Sequence, residues 1–187
     1  MIVHSIKPST VAVGLLALLL GVGLSTSHTS AQTTNIVTTP PGPGGLGTSL
    51  STSGNTTSIT GGTRPGGGQN LFHSFNQFSV GTGDVAAFVN PGVQNIIARV
   101  MAGGSPSNIY GTIQALNANL YFLNPSGITF GPAAHLNVTF SAYFSTAPQL
   151  RLAGGGIFSA TIPALDATLS VGSPVSFGFL GAGPYGP

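Results

Sequence analysis

The adjacent pair His73-Ser74 is the first place in this chain where side-chain types could carry chemistry. A serine nucleophile needs a base within hydrogen-bond reach. Neighbouring side chains in an extended strand face opposite ways, so the two are not expected to act together. Asp84 has no established place beside them. His73 is expected instead to pack or cap among Phe72 and Phe75. His135 precedes an alternating run and is expected to be its first polar position. His73 and His135 lack metal-ligand spacing, and the chain has neither Cys nor Glu, so no metal site is expected. Asp84 and Asp166 do not make a glycosidase pair without geometry to support it. The Gly-rich stretch from Thr63 to Gln69 lacks the Gly-Lys-Ser/Thr ending of a phosphate loop. The expectation is a protein that is not an enzyme and uses no cofactor.

The composition explains why so little chemistry is on offer. Charged residues are 3% of 187: Lys7, Arg64, Arg99 and Arg151 against Asp84 and Asp166. Solvated helical surfaces usually draw on Glu, Lys and Arg. Gly, Ser, Thr, Asn, Val, Ile and Phe dominate instead, a vocabulary of strands and turns. The pI near 9.4 rests on a net charge of +2 and no basic stripe, so nucleic acid is not an expected partner. Without cysteine, the fold must hold by packing and backbone hydrogen bonds.

Residues 1–31 have the features of a secretory signal peptide. Lys7 supplies the charge, Val11 to Leu24 the short apolar run, and Thr29-Ser30-Ala31 a small-residue cleavage site. Residues 32–58 are rich in Thr, Ser, Gly and Pro, and read as a low-complexity linker or a loosely paired edge. From residue 59 the strand signals strengthen. Leu71, Phe72, Phe75 and Phe78 form an aromatic cluster compatible with a short helix or a cap. Ile96 to Val100 is a strand, and Ile109 to Leu116 alternates throughout. Leu136, Val138 and Phe140 are expected to face the core, with Asn137 and Thr139 outward. Phe158 to Ile162 and Val175 to Phe179 alternate in turn. Arg99, inside an apolar strand, is expected to point outward, either solvated or touching a partner.

The chain is organised around Asn119 to Gly131, a strand, a tight turn and a strand. Leu120 and Phe122 point one way, and Tyr121 and Leu123 the other. Asn124-Pro125-Ser126-Gly127 fits a type I turn before Ile128, and Asn90-Pro91-Gly92-Val93 is a looser, type II counterpart. Gly127 is expected to be held by turn geometry and close packing. Many short strands without helices allow a sandwich, a barrel or a solenoid, and the repeated Asn-Pro punctuation favours the solenoid. Both turns read first as structural corners, and second as recognition elements.

The ordered set Gly61-Gly62-Thr63-Arg64-Pro65, Asn70 to Phe75, Asn90 to Ile96, Arg99-Val100 and Asn124 to Ile128 closely resembles the amino-terminal secretion domain of filamentous-haemagglutinin-like proteins, the two-partner-secretion or haemagglutination activity domain. The likeness is strong over 59–145, weaker to Phe179, and nearest to cyanobacterial versions. It implies an all-β fold, a right-handed parallel β-helix with amino-terminal capping strands. It also implies export through the periplasm of a Gram-negative bacterium to the cell surface or medium. The implied partner is an outer-membrane barrel transporter, whose periplasmic domains read residues 59–187. A passenger would supply any host or cell-surface ligand. Ser126 stands where the family usually has Asn. The chain stops at Pro187 with no passenger, so a domain incomplete at its carboxyl end is expected. The alternatives are an autonomous adhesin or structural surface β-helix, a non-functional truncated product, and a polysaccharide-active enzyme. The last would need more carboxylates than two.

Overall fold

The computed structural model describes residues 32–179. Short alternating strands separated by glycine, proline and asparagine wind the chain into a parallel β-solenoid of about three turns. Each turn visits three faces. One face stacks β3 (Thr56–Gly61), β5 (Val85–Phe88), β8 (Thr112–Ala115) and β11 (His135–Val138). The second stacks β4 (Asn70–Ser79), β6 (Asn95–Val100), β9 (Asn119–Leu123) and β12 (Ala142–Ser145). The third is narrower: Val80 bridges to Ile109 of β7 (Ser107–Ile109), which pairs with β10 (Ile128–Phe130).

Of the two readings of residues 32–58, the structure shows the paired edge and not the linker. The segment contributes β1 (Asn35–Thr38), antiparallel to β4, and β2 (Thr48–Ser53), antiparallel to β3. Threonine and valine favour extended backbone, and the two strands cover the first turn's open ladder edges. The aromatic cluster is neither helix nor cap but the long strand β4. Its inward face carries Leu71, His73 and Phe75, then Phe78. That odd spacing is explained by a bulge, where Val37 and Thr38 face Gln77 and Phe75 and leave Asn76 over. The run from Ile109 to Leu116 is likewise two strands, with a corner at Tyr110-Gly111.

The solenoid interior holds Phe75, Phe78, Phe88, Ile96, Ile113, Leu120 and Phe122. A second core lies outside the β4–β6–β9–β12 sheet. There Phe72, Ile97 and Leu123 pack against Leu150, Leu152 and Phe158. Those residues belong to an antiparallel sheet of β13 (Gln149–Leu152), β14 (Ile157–Ser159) and β15 (Pro174–Gly178), with a 3-10 turn at Pro163–Thr168. The weaker resemblance towards Phe179 thus covers a sheet folded back on the coil rather than further coil. It explains why every residue of β6 is buried: both its faces are covered.

β11 takes the expected register, with Leu136 opposite Ile113, Val138 opposite Ala115, and Asn137 and Thr139 exposed, but of its expected core residues only Val138 is half-buried against the interior. Leu136 is 41% and Phe140 60% exposed. No strand pairs the free edge of β11 among the described residues, and Phe140 lies beyond the strand's end. The expected signal peptide and the tail 181–187 lie outside the described residues.

Candidate recognition site

Both Asn-Pro turns are built by their asparagine. Asn90 Oδ1 accepts the N–H groups of Gly92 (2.9 Å) and Val93 (2.7 Å). Its Nδ2 donates to the carbonyls of Val93 (3.1 Å), Leu116 (3.2 Å) and Asn117 (2.9 Å). Gly92 has φ +86°, as the third position of a type II turn requires. A side-chain amide therefore closes this turn and ties it to the next coil. Asn124 does the reverse. Its Oδ1 accepts Ser126 N–H (2.9 Å), and its Nδ2 reaches back to Ser105 O (3.1 Å) and Ser107 Oγ (2.9 Å) of the preceding coil. The backbone closes this turn from Gly127 N–H to Asn124 O (3.0 Å). Gly127 has φ +119°, and a Cβ there would meet only Pro106, at 3.6 Å. Turn geometry holds Gly127; close packing does not.

The turns do not stack on each other. Asn90-Pro91-Gly92 sits between β5 and β6, and Asn124-Pro125-Ser126-Gly127 between β9 and β10, just before Ile128. The first shares its corner with the loop between β3 and β4. There Arg64 Nε donates to Gly68 O (2.6 Å) and Nη2 to Gly92 O (3.4 Å). The outer rim of this corner exposes Gly66, Gly67, Gln69, Pro91, Gly92 and Gln94.

Behind that rim runs a column of asparagines absent from the sequence expectations. Asn95 Nδ2 donates to Asn70 Oδ1 at 2.9 Å, across 25 residues, and Asn119 Nδ2 to Asn95 Oδ1 at 3.0 Å, across 24. Asn70 Nδ2 in turn bonds the carbonyls of Ser170 (3.1 Å) and Gly172 (2.7 Å). Amides suit such a ladder because each both donates and accepts. The signal was present in the sequence: Asn followed by two large apolar residues, at Asn70-Leu71-Phe72, Asn95-Ile96-Ile97 and Asn119-Leu120-Tyr121.

Arg99 corrects both readings made of it. It is fully buried, neither solvated nor open to a partner. It lies under the folded-back sheet, where its guanidinium meets Asp166 through Nη1 and Nη2, each at 2.6 Å. It also donates to Ser159 O (2.5 Å), Gly44 O (3.0 Å) and Ser74 Oγ (3.1 Å). Its Cζ stands 4.5 Å from the centre of the Phe158 ring. An apolar strand admits this cation because all its donors are used.

Ser74 shares that outer face, with Arg99 and with Thr39 Oγ1 at 2.9 Å. His73 points to the interior. Its ring packs against Phe75 and Phe88, and its Nδ1 lies 3.3 Å from Thr48 Oγ1. Burial pushes its pKa down to about 4, so the ring is neutral at physiological pH. The two therefore cannot form a nucleophile and base. Of the expected aromatic cluster, Phe72 faces the outer core and Phe75 the inner one.

A model of the TPS secretion domain matches residues 31–184, which takes in all of this architecture. The chain belongs to the TPS secretion-domain family. No curated protein matches it in sequence. The TPS domain is a module of two-partner secretion, a non-enzymatic domain of secreted proteins of Gram-negative bacteria that works with a partner transporter. The match begins at residue 31, so the capping strands β1 and β2 are part of the TPS domain.

Proposed function

We propose that residues 32–187 are an export address, read in the periplasm by the periplasmic domains of an outer-membrane barrel transporter. Residues 1–31 would act as the signal peptide that brings them there. The observation that carries this reading is the convergence at one corner. Two segments from successive coils, 64–70 and 90–95, are cross-linked there by Arg64, which reaches Gly92, and by the amide pair of Asn95 and Asn70, while Asn90 closes its own turn. A rim held by buried amides presents Gln69, Pro91, Gly92 and Gln94 in fixed geometry. The second turn, Asn124 to Ile128, is half-buried and serves chiefly as a corner of the coil.

The test fuses residues 1–187 to a small unfolded reporter and expresses it with and without the cognate transporter. Reporter in the medium only with the transporter supports the reading. Equal release in both cases refutes it and leaves an autonomous surface protein as the better account. Gln69→Glu with Gln94→Glu should weaken binding to the transporter's periplasmic domains while leaving the thermal midpoint within a few degrees, as surface changes do. Unchanged binding moves the contact away from this corner.

A further inference from the structure

Asp84 has no cationic partner among the described residues, unlike Asp166. It lines one wall of a cleft of about 220 Å³ between the two capping strands, with Thr34, Ile36, Leu50, Thr52 and Asn55. Its Oδ2 accepts the hydroxyl of Thr34 at 2.5 Å, and that hydroxyl oxygen accepts the Gly81 N–H at 2.8 Å. Gln32 reaches the same place. A Cβ on Gly81 would lie 2.2 Å from the Gln32 carbonyl oxygen and 3.1 Å from Asp84 Oδ2. The Gln32 carbonyl oxygen and the Asp84 carboxylate therefore lie on one face of Gly81, at the edge of the cap, with the Gln32 nitrogen no more than one residue's length away.

We propose that hydrolysis of the Ala31–Gln32 bond supplies the missing partner: the new α-ammonium of Gln32 pairs with Asp84 and locks the amino-terminal cap. This rests on the reading of residues 1–31 as a cleaved signal. A peptidase adds water across the peptide bond. Ala31 leaves with a carboxylate, and Gln32 keeps an amine that takes a proton at neutral pH. Before cleavage the same nitrogen is an uncharged amide and offers Asp84 no charge. Cleavage thus adds a charge–charge tie at the edge of the cap that β1 already forms on β4. The one competing fate of this amine within the chain is cyclisation of Gln32 with loss of ammonia, which the ion pair should slow because the protonated amine is not a nucleophile.

The test uses a chemical simplification. Lys7 is the chain's one lysine, so the processed protein carries a single primary amine, that of Gln32. The full chain is exported to the periplasm and purified, and its intact mass gives its first residue. It is then acylated with an amine-selective reagent near neutral pH, beside Asp84→Asn. Labelling should be roughly fivefold slower with Asp84 in place, the scale of a modest ion pair. Acylation should lower the thermal midpoint of the unsubstituted chain and leave that of Asp84→Asn unchanged. Equal labelling rates, or midpoint losses that simply add, overturn the pairing. A chain that begins elsewhere than Gln32 overturns the cleavage reading and the pairing with it. Should Asp84→Asn not fold, acylation of the unsubstituted chain decides, and an unmoved midpoint overturns the proposal.

Discussion

Replacing Asp166 with alanine should cost far more than the loss of a surface charge. Arg99 is wholly out of solvent and Asp166 is 16% exposed. The substitution leaves the guanidinium with Ser74, Ser159 and Gly44 as neutral acceptors and no counter-charge. Breaking a buried pair by removing one member costs about 3–5 kcal/mol. Asp166 keeps some contact with water, so the lower end applies, about 3 kcal/mol. For a domain of this size that is a fall in thermal midpoint of about 10 °C. The companion is Arg99→Met combined with Asp166→Ala, which removes both charges and keeps an unbranched chain among Phe158 and Ser74. Replacing both partners by apolar groups is often near neutral, so the double variant should be more stable than Asp166→Ala alone.

The assay is urea unfolding at low and high salt, followed by far-ultraviolet dichroism. Buried pairs are screened little, so the loss from Asp166→Ala should persist at high salt. A loss below about 1 kcal/mol, or one that vanishes with salt, is the behaviour of an exposed pair and would refute the buried-hub argument. So would a double variant whose loss equals the sum of the two single losses.

Acid should weaken the fold through His73. Its folded-state pKa of about 4 lies below the ordinary histidine value of 6.5, so the unfolded chain binds the proton more readily. Stability from this group is complete above pH 6.5 and is lost as pH falls towards 4, by roughly 3 kcal/mol in all. Urea midpoints between pH 7 and 4 should show that slope, and His73→Leu should flatten it. Gly62→Ala should destabilise more than Gly127→Ala, because both have positive φ but only Gly62 would set its Cβ 2.8 Å from Phe72 O and 2.9 Å from the His73 ring. Midpoints that fall equally would place the cost in φ alone. On β11, Val138→Asp should cost about 1–3 kcal/mol for an unpaired charge against the core, and Leu136→Asp less than about 0.5 kcal/mol. Equal losses in denaturant titrations would mean that Leu136 is covered as well as Val138.

The coil was legible where period-two alternation met a turn residue. Asn119 to Gly131 has Leu120 and Phe122 inward, and Tyr121 and Leu123 outward, as the alternation requires. Alternation says which residues share a face, but not whether the opposite face is also covered. Leu123 and Phe72 face an outer core because β13 and β14 return over them, and nothing within β4, β6 or β9 announces that return. The same gap misplaced Arg99. Its partner lies 67 residues later, in a 3-10 turn with no pattern of its own. Leu136 and Phe140 are exposed for the opposite reason: β11 has the alternation of a buried strand, but no further coil packs against it among the described residues. The asparagine ladder was hidden because its repeat is one residue type plus apolar company, at spacings of 25 and 24.

The placement of the charges constrains how the domain can be recognised. Arg99 and Asp166 neutralise each other inside, and Asp84 is engaged by Thr34 within the cap. Among the described residues this leaves Arg64, already bonded to Gly68 and Gly92, and Arg151 as cations facing outward. Two separated cations make too weak a field to steer a partner over more than a Debye length, about 8 Å at physiological ionic strength. Specificity must then come from contact itself: backbone groups held at fixed angles, amide side chains, and the shape of the corner. That places the burden on rigidity, since a polar surface that moved would lose ordering entropy with each bond formed. Asn70 and Asn95, both buried, and the half-buried Asn90 supply the rigidity from behind, each bonded to a coil other than its own. On this argument the buried amides matter to recognition as much as the exposed rim, although a partner would touch only the rim.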